Sequence, residues 1–157
     1  MKTGVSLCSL VVLLSLPQAA QAKLKVVTTT PDFAAIAQAI GGDRVEVAAL
    51  AKPTEDPHFV DPKPSFMVKL NQADVLVEGG AELEIGWLPA LLQGTRNHRI
   101  AVGSPGRVLA SEVVELMEIP TTLDRSRGDV HALGNPHYMT DPVNALQVAR
   151  RVAAVFS

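Results

Sequence analysis

Gly128-Asp129-Val130-His131-Ala132-Leu133-Gly134-Asn135-Pro136-His137-Tyr138-Met139-Thr140-Asp141-Pro142 is the stretch on which the reading of this chain turns. It sets two histidines in a loop rich in Gly, Pro and Asn and stops on Asp141-Pro142. An aspartate carboxylate accepts the N–H groups that a first helical turn leaves unpaired, and proline suits the first helical position, so a helix is expected to begin here. A rigid loop delivering imidazoles to a helix entrance is a candidate metal site, but one such loop cannot close a site alone. A further histidine lies far upstream in a second Pro-framed loop, Glu55-Asp56-Pro57-His58-Phe59. Pro57-His58 and Pro136-His137 share a local grammar: a proline fixes the backbone before the imidazole and an aromatic ring follows it. Proline lowers the entropy lost on ordering a ligand, and the ring could shield the site from water. The expectation is that the fold brings the two loops together.

Outward from these loops, the chain alternates strand and helix signals. Leu24 to Thr29 reads as a first strand, and Pro31-Asp32 opens a helix with Phe33, Ile36, Ala37 and Ile40 on one face, ended by Gly41-Gly42. Val45 to Leu50 reads as a second strand, followed by a proline-rich loop, Lys52 to Lys63, that carries His58. A helix starts at Pro64-Ser65, Val75 to Val77 is a third strand, Leu83 to Leu92 a further helix containing Trp87, and Ile100 to Val102 a fourth strand. Val108 to Glu118 is ambiguous between strand and helix, and Thr121 to Gly128 is polar and expected to be exposed. Asn144 to Phe156 carries Ala145, Val148, Ala149, Val152 and Val155 on one helical face. Such alternation implies an α/β fold with a parallel four-stranded sheet flanked by helices. Ligands gather at the carboxyl ends of the strands in such sheets, and His58 follows the second strand directly. There is no internal repeat and no low-complexity tract.

The amino terminus is read apart from the fold. Lys2, an apolar run from Val5 to Leu16, Pro17 and the Ala20-Gln21-Ala22 cleavage pattern describe residues 1–22 as a secretory signal peptide, too short to span a bilayer. Periplasmic export is expected. The single cysteine, Cys8, lies inside the apolar run, which argues against a lipidated N-terminal cysteine and leaves no thiolate for a metal site or disulfide. Loss of Lys2 takes the formal net charge from −2 to −3, with neither sign clustered; nucleic-acid surfaces usually carry a basic stripe. The 47% apolar composition fits one ordinary globular core.

Imidazole is the commonest metal ligand near neutral pH, and zinc takes four donors in a tetrahedron. His58 and His137 are the main candidates and His131 a third. The competing reading of each is a loop histidine bonded to a backbone carbonyl, and for His131 a solvated loop position is favoured. His98, in the basic turn Gly94-Thr95-Arg96-Asn97-His98-Arg99, reads as surface. Asp56 or Asp61 could hold the second nitrogen of His58 and fix its tautomer. Glu78, Glu82 and Glu84 read as charge at a helix N-terminus, and Trp87 reads as core. No nucleophile motif, glycine-rich phosphate loop or H-E-x-x-H is present.

At these residues the chain resembles the solute-binding proteins of ABC importers for zinc and manganese, sometimes called cluster A-I. The resemblance rests on Asp56-Pro57-His58 with Pro62-Lys63-Pro64-Ser65, on Ala73-Asp74, on Leu83-Glu84 with Trp87, and on Gly134-Asn135-Pro136-His137-Tyr138 leading to Asp141-Pro142 and Asn144-Ala145. It implies two α/β lobes joined by a long helix with the metal held between them, the amino-terminal lobe giving two histidines that map onto His58 and His137. Residues 23–141 would then be the amino-terminal metal-binding lobe and 142–157 the start of the inter-lobe helix. The sequence departs from the family in ending at Ser157, without the lobe that normally adds a histidine and an acidic residue, in lacking the long His- and acid-rich loop of many zinc members, and in carrying Met139-Thr140 where Trp-Leu is common. The implied role is capture of Zn²⁺, or alternatively Mn²⁺, for delivery to a membrane permease, without catalysis. Imidazole donors lean towards zinc, carboxylates towards manganese. A monomer or weak dimer is expected, and zinc binding by this chain alone is expected to be weak. Two other readings are a secreted zinc hydrolase, which would need His131 as third ligand and Glu78 or Glu84 as base, and an inactive truncated relic.

Overall fold

The computed structural model describes residues 22–123 and 130–157. The leader reading (Ala22 excepted) and most of the polar stretch 121–128 lie outside the described residues. Strand β1 (Leu24–Thr28) leads through helix α1 (Pro31–Gly41) to β2 (Val45–Ala49), then through the proline-rich loop and α2 (Pro64–Gln72) to β3 (Val75–Glu78). A turn and the short α3 (Leu88–Gln93) precede β4 (Arg107–Leu109), and α4 (Pro142–Val155) closes the described chain. The four strands form one parallel sheet in the order β2-β1-β3-β4.

Side chains alternate across a strand, and here both faces are covered. Val26, Val75, Val77 and Val108 point to the side where Phe33 and Ala37 of α1 and Val148 and Val152 of α4 pack. Val27 and Leu76 point to the other, against Phe66 and Leu70 of α2 and Trp87, Leu88 and Leu91. A parallel sheet buried on both faces explains why its strands read as β-branched runs. Within α4, Val148 and Val152 are fully buried, packed into the same cluster as Phe33 and Ala37 of α1. Asp141 caps α4, its carboxylate accepting the Val143 N–H at 2.8 Å, and Pro142 takes the first turn.

Two elements differ from the sequence expectation. Ile100 to Val102 is not a strand: His98–Ile100 is a 3-10 turn, capped by the Asn97 side chain on the Arg99 N–H, and the fourth strand is β4. A strand there begins on a charged residue because Glu78 Oε1 accepts from Arg107 Nε at 2.6 Å. The helix expected over Leu83 to Leu92 begins only at Leu88. Residues 81–87 are turns instead: Ala81 and Glu82 hold left-handed backbone (φ 50° and 69°), and Trp87 enters α3 at φ −142°, outside the helical range. Among the described residues no helix is long and apolar enough to cross a membrane.

Candidate metal centre

The carboxyl ends of the strands converge on one rim. There, two Asx-Pro-His turns are built alike. In Asp56-Pro57-His58, Asp56 Oδ1 accepts the His58 backbone N–H at 2.9 Å; in Asn135-Pro136-His137, Asn135 Oδ1 accepts the His137 N–H at 2.9 Å. An Asx side chain that bonds two residues on fixes a turn as a backbone bond would, and the intervening proline stiffens it. Asp56 does more. The same oxygen accepts from His58 Nδ1 at 2.8 Å, which makes Nδ1 the protonated nitrogen of the neutral ring and leaves the lone pair on Nε2. Both bonds from His58 hold the exposed Asp56 carboxyl below its usual range, the backbone N–H most strongly.

His58 Nε2 lies 3.2 Å from His131 Nε2, with the two rings stacked at 5.0 Å. The His137 ring stands edge-on to His58, centroids 5.1 Å apart, and 6.5 Å from that of His131. Each histidine offers one ring nitrogen such that all three lie within 4.8 Å of one another. His58 and His131 are half-buried and His137 is exposed. Two nitrogens on one tetrahedral zinc stand about 3.3 Å apart, as bond lengths of roughly 2.0–2.1 Å require, so this cluster is compact enough to hold a single cation after small adjustments. The mouth over it, some 630 Å³ and lined by Asp56, Glu118 and Asn135 as well as the histidines, is open. His131, for which the sequence favoured a solvated position, is thus packed against His58. His98 is exposed and is not one of the three clustered histidines. Phe59, expected to shield His58, has its ring 6.1 Å from the imidazole but is 73% exposed.

Each histidine is anchored, through an adjacent residue, to the one connection that runs from β3 to α3. The Trp87 indole donates to the Pro57 carbonyl at 2.8 Å, next to His58. The Tyr138 hydroxyl donates to the Gly79 carbonyl at 2.6 Å, next to His137; burial pushes that hydroxyl's pKa upward. The Glu82 carboxylate accepts the Ala132 N–H at 2.6 Å, next to His131. Glu84, buried at 4% exposure, holds the connection's own shape: it accepts from the Thr29 hydroxyl (2.6 Å), the Gly79 N–H (2.8 Å) and the Gly80 N–H (3.0 Å). Burial raises its pKa above the ordinary value, against the pull of those three donors. The three glutamates therefore do not decorate a helix N-terminus, as their spacing suggested. Sequence reasoning missed Glu82 and Glu84 as anchors, and the signal that could have found them was Pro89, whose place in the first turn of α3 moves the helix start past both. Glu78 and Glu84, the bases a hydrolase would need, are bonded inward to Arg107 and to Thr29.

The family described as "Zinc-uptake complex component A periplasmic" (ZnuA) matches residues 26–157. The manganese ABC transporter substrate-binding lipoprotein PsaA of Streptococcus pneumoniae is 32% identical over 113 residues, 70% of this chain and 35% of that protein. The iron-binding protein YfeA of Yersinia pestis is 32% identical over 124 residues, 79% of this chain and 35% of its own. The crystal structure of the metal-dependent lipoprotein YcdH from Bacillus subtilis superposes with a TM-score of 0.64 at 27% identity, over 84% of this chain and 43% of that one. The chain spans about a third of the length of the curated relatives it matches.

Proposed function

The chain belongs to the ZnuA family of periplasmic zinc-uptake components, and from that membership we propose that it captures a divalent transition-metal ion, Zn²⁺ or alternatively Mn²⁺, outside the cytoplasm and hands it to the permease of an ABC importer. The relatives it matches include a manganese ABC transporter substrate-binding lipoprotein and an iron-binding protein, which supports binding and release as the work of this chain. The observation that carries the reading is the approach of His58 to His137, 79 residues apart in sequence and 5.1 Å apart between ring centroids. In this reading His58 and His137 are the primary ligands, with His131 within reach.

The mechanism needs no bond-making beyond coordination. Asp56 presents His58 with its Nε2 lone pair outward, and imidazoles displace water from the arriving cation. Residues 23–141 form the binding lobe and α4, from Pro142, the connector to a second lobe in the intact importer component. Export is by the leader peptide proposed for residues 1–22. Imidazole donors favour zinc over manganese, which prefers carboxylate oxygen.

Isothermal titration with Zn²⁺ and Mn²⁺ tests the proposal. Zinc should bind with one site per chain, and His58→Ala and His137→Ala should each abolish measurable binding. Retention of wild-type affinity by both variants would sink the assignment.

A further inference from the structure

We propose that His131 is a third metal ligand, held in place by Glu82 as its positioning residue, so that three imidazoles from this one lobe face a single cation. The inference rests on the metal-capture reading above. His131 reaches the cluster from a different segment than either Asx-Pro-His turn, and nothing in the Asx-Pro-His grammar predicts it. Its Nε2 meets His58 Nε2 at 3.2 Å, close to the separation of about 3.3 Å for two nitrogens on tetrahedral zinc. Because Asp56 occupies His58 Nδ1, the His58 lone pair points at His131. Two nitrogens so disposed either share a proton or share a cation.

A second observation marks the arrangement as built. The residue after His131 donates its N–H to Glu82 at 2.6 Å, and Glu82 makes that bond from left-handed backbone, which it adopts with Ala81 (φ 69° and 50°). Left-handed backbone at a non-glycine residue is strained and persists where the surroundings enforce it, often at binding sites. Here the enforcing contacts are the Glu84 bonds to Gly79 and Gly80 on one side and the Ala132 bond on the other. Three imidazoles leave one position of a tetrahedron open, and that donor set suits zinc, cobalt and nickel better than manganese.

The experiment is zinc affinity by chelator competition on the chain, with the visible spectrum of bound Co²⁺ as a report on coordination. His131→Ala is expected to weaken Zn²⁺ binding at least about 100-fold, beyond the range of about 10–100-fold that an outer-sphere loss produces, and to reduce the intensity of the Co²⁺ bands. His131→Gln should behave alike, and metal-free thermal melts of both should match wild type. Glu82→Ala should fall within that outer-sphere range, and Glu82→Gln, whose amide oxygen can still accept the Ala132 N–H, should recover to within a few-fold. His98→Ala serves as the exposed control. If His131→Ala and His131→Gln keep the wild-type affinity and Co²⁺ spectrum while His58→Ala loses both, the 3.2 Å contact is a hydrogen bond between two rings only and this inference is overturned with the capture reading intact. Absence of zinc binding by the wild-type chain overturns both.

Discussion

The indole Nε1–H of Trp87 donates to the carbonyl oxygen of Pro57 at 2.8 Å, tying the loop of His58 to a side chain that is itself 2% exposed in the core. One hydrogen bond thus carries the order of the sheet's packing out to a half-buried imidazole.

Trp87→Phe keeps a ring in the core but removes that donor and leaves a void. A stability loss of about 2 kcal/mol is expected, read from urea unfolding followed by circular dichroism, since the chain's single tryptophan is the residue removed. Zinc affinity should drop about 10-fold, the scale of an outer-sphere loss. Unchanged affinity would mean that the His58 loop holds its shape without the indole.

Tyr138→Phe tests the corresponding tether of His137. The Gly79 carbonyl also accepts the Ser111 N–H at 3.0 Å, so it is not orphaned, and the expected loss is only about 1 kcal/mol. A loss of several kcal/mol in thermal or urea unfolding would contradict this sharing of the carbonyl.

Asp56 separates charge from geometry. Asp56→Asn keeps an oxygen that can accept from both the backbone and the ring of His58, whereas Asp56→Ala removes both bonds. Zinc affinity is expected to fall toward about 100-fold for Ala and nearer 10-fold for Asn, by competition titration. Equal losses in the two variants would show that the carboxylate charge, rather than ring orientation, is what matters.

Glu84 predicts a pH dependence. Its pKa is raised in the folded state by burial, so the native chain binds this proton more tightly than the unfolded one. The stability it contributes is fully present below the ordinary glutamate value and declines as pH rises through the raised one. Glu84→Gln does not titrate there, and its amide nitrogen faces the Gly80 N–H that the carboxylate accepts. The variant should be less stable than wild type, with the gap narrowing as pH rises from 4 to 7 in urea titrations. A gap that widened over that interval would mean that the three donors outweigh burial.

Much of this was readable in advance, and the limits have physical reasons. The Asp-Pro-His and Asn-Pro-His turns were legible because their bonds are local, spanning two residues, and so was the start of α4 at Asp141-Pro142. Strands β1 to β3 were legible because burial on both faces demands β-branched runs. The strand β4 was not, because its opening residue is charged and only the distant partner Glu78 neutralises it. The turn from Ala81 to Trp87 was not, because its amphipathic look comes from glutamates whose partners, Thr29 and Ala132, lie some fifty residues away. Helical periodicity has no term for a carboxylate turned inward. The approach of His131 to His58 belongs to the same class: the two are 73 residues apart, and the neighbouring Ala132 N–H is bonded to Glu82, 50 residues away, which no spacing in the sequence encodes.

The excursion between Met117 and Asn135 is closed at its own base. The Asn135 N–H bonds to the Met117 carbonyl at 2.8 Å, the Asn135 amide to Glu118 at 2.7 Å, and a Cβ on Gly134 would come within 2.8 Å of the Met117 carbonyl. A loop cinched in this way fixes where the backbone re-enters the rim, two residues before His137. In the capture proposed above, the two imidazoles on either side of this clasp are therefore moored independently, His137 by the Met117–Asn135 closure and His131 by the Glu82 carboxylate on the Ala132 N–H.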